Sequence, residues 1–278
     1  PIGGIGAGMF CLEGTGALSH MSVRNTMDVF HEPCAFAAVC VKGDPNIARV
    51  LEGPIPDWKY FGRPDTGNGG PGTTYGFPRF REAAFVARFP FATIELRDEA
   101  LPLRVSLTGW SPFLPNDADN SSLPVGALEY TFHNDSGNTV DAVFSFNTKN
   151  FMANGSGSDA VGAFAKGFVL RQAGTPEPEQ EGAFAIVAEA EEVVVDHCWF
   201  KGGWWDGMTL AWRHVQEATL LDNPAVEGSA PGASLFVPFS VAPGASRTIK
   251  LMMAWYVPVT TLRAGDGPAK PAYAAGTA

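Results

Sequence analysis

W-S-P-F-L-P-N-D-A-D-N-S-S-L-P-V-G-A-L-E-Y-T-F-H-N, residues 110–134, is the stretch whose reading decides the fold. Its second half alternates. Gly126, Leu128, Tyr130 and Phe132 fall on one side of an extended chain, and Val125, Ala127, Glu129, Thr131 and His133 on the other. The apolar set marks a side that faces a core. The first half carries Pro112, Pro115, Asn116, Asp117, Asp119, Asn120, Ser121, Ser122 and Pro124, the turn-forming residues that end one strand and begin the next. The stretch reads as a strand, a structured crossover and a half-buried strand.

The same signals recur on both sides of it. Strand character is expected at Met9–Leu12, Cys34–Lys42, Arg79–Pro90, Phe91–Arg97 and Leu103–Leu107 before the crossover. After it come Val140–Phe146, Phe168–Arg171, Phe184–Ala188, Val193–Phe200, Ser234–Ser240 and Thr248–Tyr256. Ser136-Gly137-Asn138 reads as a tight hairpin turn, and Ala242–Ser246 as the turn of a closing hairpin. Asn147–Ala165, rich in Gly and Ser, reads as a surface loop, and 65–74 as almost pure loop. Only Asp206–Asp222 has helical spacing, through Met208, Trp212, Val215, Ala218 and Leu221. A dozen or so short strands, one short helix and no β-α-β alternation predict an all-β fold, a large antiparallel sandwich of two stacked sheets. The expected sandwich covers 1–258, and residues 259–278 read as a linker toward a further domain.

The chain has 278 residues, 45% hydrophobic and 17% charged, with a net charge of −10, enough apolar material for a large core. Lys and Arg do not cluster, which argues against a nucleic-acid partner. No apolar run is long enough for a transmembrane segment. Cys11, Cys34, Cys40 and Cys198 form no C-x-x-C pair, so free thiols are expected rather than zinc ligands. The chain opens on Pro1, and nothing in it fixes a compartment.

Several chemistries can be set against the residues. Gly4, Gly6 and Gly8 in P-I-G-G-I-G-A-G (1–8) are spaced by two, with no preceding strand, so the dinucleotide fingerprint fails. Close backbone packing is the expected use of these glycines. His20, His31, His133, His197 and His214 are scattered and no G-x-S-x-G elbow occurs, so no nucleophilic triad is expected. Asn116–Asn120 resembles part of a calcium loop but lacks its glycine and its later glutamate, so no metal site is expected. Glycosidase chemistry needs two facing carboxylates. Glu95 and Glu129 lie on strands and read as outward polar positions, so no catalytic residue is assigned. The aromatic group Trp199-Phe200, Trp204-Trp205 and Trp212 has two readings, core packing or a sugar-stacking platform.

Four ordered motifs carry a resemblance. They are P-I-G-G-I-G-A-G (1–8), W-S-P-F-L-P-N-D with S-S-L-P-V-G (110–126), F-S-F-N-T-K-N (144–150) and M-A-W-Y-V-P (253–258). With them the chain resembles the N-terminal region of glycoside hydrolase family 116, the non-lysosomal glucosylceramidases and related β-glucosidases. The resemblance implies a β-sandwich partnered by its own C-terminal (α/α)6 catalytic domain. It implies a retaining reaction on a β-glucoside or a glucosylated lipid, with a Glu nucleophile and an Asp acid/base in that second domain. It implies no cofactor. Neither catalytic residue maps onto this chain. Ser19–Asn25 lacks the Arg-Arg-Trp character of the glucosylceramidase branch, and Tyr256 stands where an acid is frequent, so a plainer β-glucoside fits equally. The segment's expected work is to brace the catalytic domain and lend loops 19–25, 116–122 and 147–160 to the rim of its active site. His20, Arg24, Asp117 and Ser121 are the candidate substrate-binding residues. A free-standing carbohydrate-binding module resting on the Trp cluster, or a protein-interaction domain, are the alternatives.

Overall fold

The computed structural model describes residues 1–24, 26–28, 33–61, 74–203 and 206–260. In chain order the elements are β1 (Met9–Leu12), β2 (Leu18–Ser22), β3 (Ala35–Val41), β4 (Ile47–Val50), the single turn α1 (Asp57–Phe61), β5 (Glu82–Arg88), β6 (Phe91–Arg97) and β7 (Leu103–Trp110). There follow the turn α2 (Ala118–Ser121), β8 (Val125–Asn134), β9 (Val140–Lys149), β10 (Asp159–Phe164), β11 (Gly167–Gln172), β12 (Gly182–Glu189) and β13 (Val194–Asp196). The chain closes with α3 (Gly207–Gln216), β14 (Gly232–Val241) and β15 (Ser246–Tyr256). Eight strands form one antiparallel sheet in the order β10-β11-β12-β15-β8-β7-β6-β5, and five form a second in the order β13-β14-β9-β3-β4. β1 and β2 make a small third sheet. This is the expected all-β sandwich. Most of the expected linker, 261–278, lies outside the described residues.

The alternation in β8 decides which face is buried. Leu128, Tyr130 and Phe132 are fully inside, and Glu129, Thr131 and His133 are half-exposed on the far face. β7 repeats the pattern, with Leu103, Val105 and Leu107 inward. Facing them from the five-stranded sheet are Val39, Phe144, Phe146, Leu235 and Phe239. Ring contacts join the layers: Tyr130 to Phe144 at 5.1 Å and Phe132 to Phe239 at 4.7 Å between centroids. Burying each such ring contributes on the order of 1.5–3 kcal/mol.

β3 is buried along its whole length because both faces of the smaller sheet are covered. Its second face, with Phe36, Ala38, Cys40, Val143 and Phe236, carries α3. Asp206 caps α3 by accepting from the Met208 amide at 3.2 Å, and Met208, Ala211, Trp212 and Val215 turn inward. The helical spacing predicts a helix running on to Asp222. The structure ends it at Gln216, after which Ala218 takes a left-handed φ of 53°.

Two expected hairpins are not hairpins. β8 and β9 lie in different sheets, and so do β14 and β15. Each turn is an arch across the sandwich, and Asn134 ties the two arches together. Its side-chain amide donates to Asn138 O at 2.7 Å and to Val241 O at 2.8 Å. Its backbone N–H donates to Ala245 O at 3.0 Å, and its carbonyl accepts from Gly244 N at 3.0 Å. The chain switches sheets because β9, with Ala142, Phe144 and Phe146 inward and Val143 beneath α3, has two apolar faces to bury. β8 has one.

Candidate functional site

The two ends of the sandwich are built differently. At one end the connections are short: 42–46, 98–102, 135–139, 165–166, 190–193 and 242–245. At the other lie the long ones, 111–124 between β7 and β8, 150–158 between β9 and β10, 173–181 between β11 and β12, and 197–231, which holds α3, together with one tight turn, 89–90 between β5 and β6. Loops 116–122 and 147–160 and the N-terminal segment lie at the long-loop end, and Arg24 joins them through Met152 O.

The crossover is held from within and from below. Asp117 caps α2, accepting from the Asn120 amide at 3.0 Å and from its side chain at 2.6 Å. Those bonds pull its exposed carboxyl below the usual aspartate range. Asn116 before it takes a left-handed φ of 66°. Ser121 is buried, and its hydroxyl closes the loop by accepting from Leu114 N at 2.9 Å and donating to Leu114 O at 3.0 Å. Both hydroxyl bonds stay inside the loop, so Ser121 shapes the crossover.

The glycine-rich start runs beneath this loop. Ile5 N donates to Ser121 O at 2.8 Å, and Gly3 N to Ser111 Oγ at 3.1 Å. A Cβ on Gly4 would lie 2.2 Å from Leu123 O, which is why only glycine fits there. Ile2 enters the space left by Gly109 and Gly126 on the eight-stranded sheet. Trp255 ties the arrangement together. Its indole N–H donates to Ala7 O at 2.6 Å and its backbone N–H to Pro124 O at 3.0 Å. Its ring stacks on Phe184 at 5.7 Å and meets Phe10 edge-on at 6.3 Å. Trp255 is not among the candidate residues read from the sequence. The M-A-W-Y-V-P motif is the signal that could have singled it out.

Arg24 reaches the next long loop, its guanidinium donating to Met152 O. Its Nε is buried and has no hydrogen-bond partner among the described residues. Burial draws the guanidinium below arginine's ordinary value, with nearby Asp28 acting against it. His20 stays on β2, with φ 53° and its Nδ1 at 2.7 Å from Ser19 Oγ. So Asp117 and Ser121 share one turn, Arg24 engages loop 150–158, and His20 sits on the small sheet. Asn25, His31 and the loop residues 62–73 lie outside the described residues.

Glu95 and Glu129 lie on the open outer face of the eight-stranded sheet, as expected. Ser106 Oγ donates to Glu95 at 2.7 Å and Trp110 Nε1 to Glu129 at 3.2 Å. Neither lines a cavity described below. A cleft of about 570 Å³ opens at the short-turn end beside Arg81, Glu82, Arg97, Asp98, Arg104 and Asp135. Two of its acids are paired: Arg49 and Arg104, at 2.8 and 3.3 Å, hold Asp98 and Asp135. It is a structural ion-pair cluster away from the candidate loops.

Of the aromatic group, Trp199 and Trp212 are buried in the second core, Trp212 stacking on Phe77 at 4.6 Å. They pack and offer no sugar platform. Phe200 is exposed, and Trp204 and Trp205 lie outside the described residues. A pocket of about 210 Å³ beside α3 is lined by Asp196, Trp199, Phe200, His214, Leu221 and Asn223. Burial raises the carboxyl of Asp196 above its ordinary value, opposed by hydrogen bonds from Asn223 and the Cys198 amide. A carboxyl raised in the folded state favours folding most when protonated, and that contribution is lost as pH climbs through the folded value. Asp196→Asn keeps the acceptor and removes the charge. Its stability relative to the parent should therefore rise between acid and neutral pH, as urea unfolding at both would show. A pH-independent difference would contradict this.

No curated protein matches the chain. Among solved structures it is similar to a protein described as a kojibiose phosphorylase from human microbiome, at TM-score 0.33 and 7% identity, over 60% of this chain and 17% of that one. It is similar to a polysaccharide lyase at TM-score 0.40 and 10% identity, over 90% and 32%. It is also similar to a protein described as an aldose 1-epimerase from Escherichia coli K12 at TM-score 0.44 and 10% identity, over 91% and 97%. The chain thus spans 17% and 32% of the length of the first two. The family described as beta-glucosidase 2, glycosyl-hydrolase family 116 N-term, matches over residues 1–275. With the four motifs in order on a sandwich of this build, the chain belongs to that family, as the N-terminal domain of a glycoside hydrolase.

Proposed function

We propose that this domain acts in a retaining β-glycosidase, on a β-glucoside or a glucosylated lipid, without cleaving the bond itself. It braces a C-terminal (α/α)6 domain that supplies the Glu and Asp, joined through residues 259–278. The observation that carries the reading is the asymmetry of the sandwich. Its long connections gather at one end, and the N-terminal segment and Trp255 fix them from below. Rigid support under polar loops is what a shared active-site rim needs. In this reading the loops 19–25, 116–122 and 147–160 reach the rim. Asp117, Arg24 and His20 offer polar groups to the sugar, and Ser121 holds the crossover in shape. The reading is also supported by where the acids lie, Glu95 and Glu129 being on an open sheet face.

The test is hydrolysis of an aryl β-glucoside by the 278-residue segment and by the longer polypeptide that contains it. Turnover is expected only from the longer one. Hydrolysis by the segment alone would overturn the proposal.

A further inference from the structure

The eight-stranded sheet ends on β5, whose outer edge no other strand covers among the described residues. An open edge is normally blunted by a lysine, a proline or a bulge. β5 reads E-A-A-F-V-A-R and pairs with β6 in unbroken register, so it has none of these between its two charged ends. Phe85 and Val86 are exposed, 44% and 61%. The other sheet edges differ. β13 and β4 have three and four residues, and Val50 of β4 is bridged to Arg79. β10, at the far end of the same sheet as β5, carries Gly162 within the strand, a residue that weakens an edge.

The backbone direction of β5 follows from its hairpin. Arg88 and Phe91 flank a two-residue turn, the place where an antiparallel pair exchanges both backbone bonds. Counting back by twos, Val86, Ala84 and Glu82 direct their backbone groups to β6. Ala83, Phe85 and Ala87 direct theirs outward. The outward set is centred on Phe85, the middle residue of the strand.

We propose that β5 pairs antiparallel with β5 of a second copy of this chain, about a twofold axis at Phe85, joining two eight-stranded sheets edge to edge. The sequence of the strand is self-complementary in this register alone. Glu82 faces the partner's Arg88, and Arg88 faces the partner's Glu82, both pairs on the outer face. Val86 faces the partner's Ala84. On the inner face Phe85 meets the partner's Phe85, covering a half-exposed ring that lies against Gly14. A shift of the register by two residues sets Glu82 against Val86, or Arg88 against Ala84, and breaks both charge pairs. The edge pair is smaller than a permanent interface, so the association depends on concentration.

Sedimentation velocity of the intact protein from about 1 to about 200 μM should show a monomer–dimer equilibrium. Glu82→Arg or Arg88→Glu alone should weaken it roughly tenfold or more, since each places two like-charge pairs across the axis. The two single variants mixed together should form a heterodimer in which every charge again meets its opposite. The double variant E82R/R88E should dimerise like the parent. Melting temperatures of all variants should stay close to the parent's, which separates lost pairing from lost folding. A protein that stays monomeric throughout would overturn the proposal. So would a dimer insensitive to the single reversals, or single reversals that neither mixing nor the double change repairs.

Discussion

Arg79→Met should cost the fold about 3–5 kcal/mol, the usual consequence of leaving a buried charge without its partner. Glu52 is 6% exposed, and Arg79 Nε meets its Oε2 at 3.1 Å with both side chains inside. The same guanidinium donates to Thr74 O at 2.8 Å, to Phe77 O at 2.9 Å and to Thr74 Oγ1 at 2.7 Å. It therefore pins the segment before β5 to the body of the sandwich. Burial pushes the Glu52 carboxyl above its ordinary value, outweighing the pull of Arg79. A raised carboxyl contributes most when protonated, so acidification should shrink the deficit of Arg79→Met, because neutral Glu52 no longer requires the guanidinium. The double variant E52Q/R79M should recover part of the loss at neutral pH. Urea unfolding at two pH values checks all three statements, and a loss below about 1 kcal/mol for Arg79→Met would contradict them.

Trp255→Ala is the second large effect, with an expected loss of about 3–5 kcal/mol for removing a buried Trp from the core. Trp255 is 4% exposed, between Phe184 and Phe10. Trp255→Phe separates its two roles. It keeps a ring against Phe184 and removes the donor to Ala7 O, a bond worth about 0.5–1.5 kcal/mol, together with the part of the indole that lies beside Gly3. Thermal unfolding should rank parent, Phe variant and Ala variant in that order. Amide exchange in residues 2–8 should quicken in the Phe variant while β8 and β15 keep their protection. Equal exchange in the N-terminal segment of parent and Phe variant would show that the indole does not tie it down.

The fold class was legible because alternation in β6, β7, β8 and β15 is a local property with one solution, an apolar face turned inward. What stayed hidden depends on partners far along the chain. β10, D-A-V-G-A-F, has a single β-branched residue and reads as loop until β11 pairs with it in full register. β2 and β4 likewise lie in stretches that look mixed or turn-rich and take their order from β1 and β3. The two arches look like hairpins locally, since nothing in Ser136-Gly137-Asn138 says that the next strand belongs to the other sheet. Asn134 reveals it, through bonds to Asn138, Val241 and Ala245 that no spacing rule anticipates.

The candidate residues were legible unevenly for the same reason. Asp117 is found through turn chemistry and does what such a residue does, capping a short helix. Ser121 is found in the same loop, but its hydroxyl bonds back to Leu114, which depends on how the loop folds. Close packing at residues 1–8 holds at Gly4, because glycine at narrow spacing has few other uses. Trp199 and Trp212 are open to two readings until α3 is seen to cover the second face of the five-stranded sheet.

If the long-loop end of this sandwich is the face on which another domain rests, that face should change its solvent access when the other domain is present. Hydrogen exchange of the 278-residue segment, compared with the longer polypeptide that contains it, measures this directly. Slower exchange in the longer protein is expected at 111–124 and 150–158, with 98–102, 135–139 and 242–245 unchanged. Protection confined to the short-turn end, or identical exchange everywhere, would contradict it.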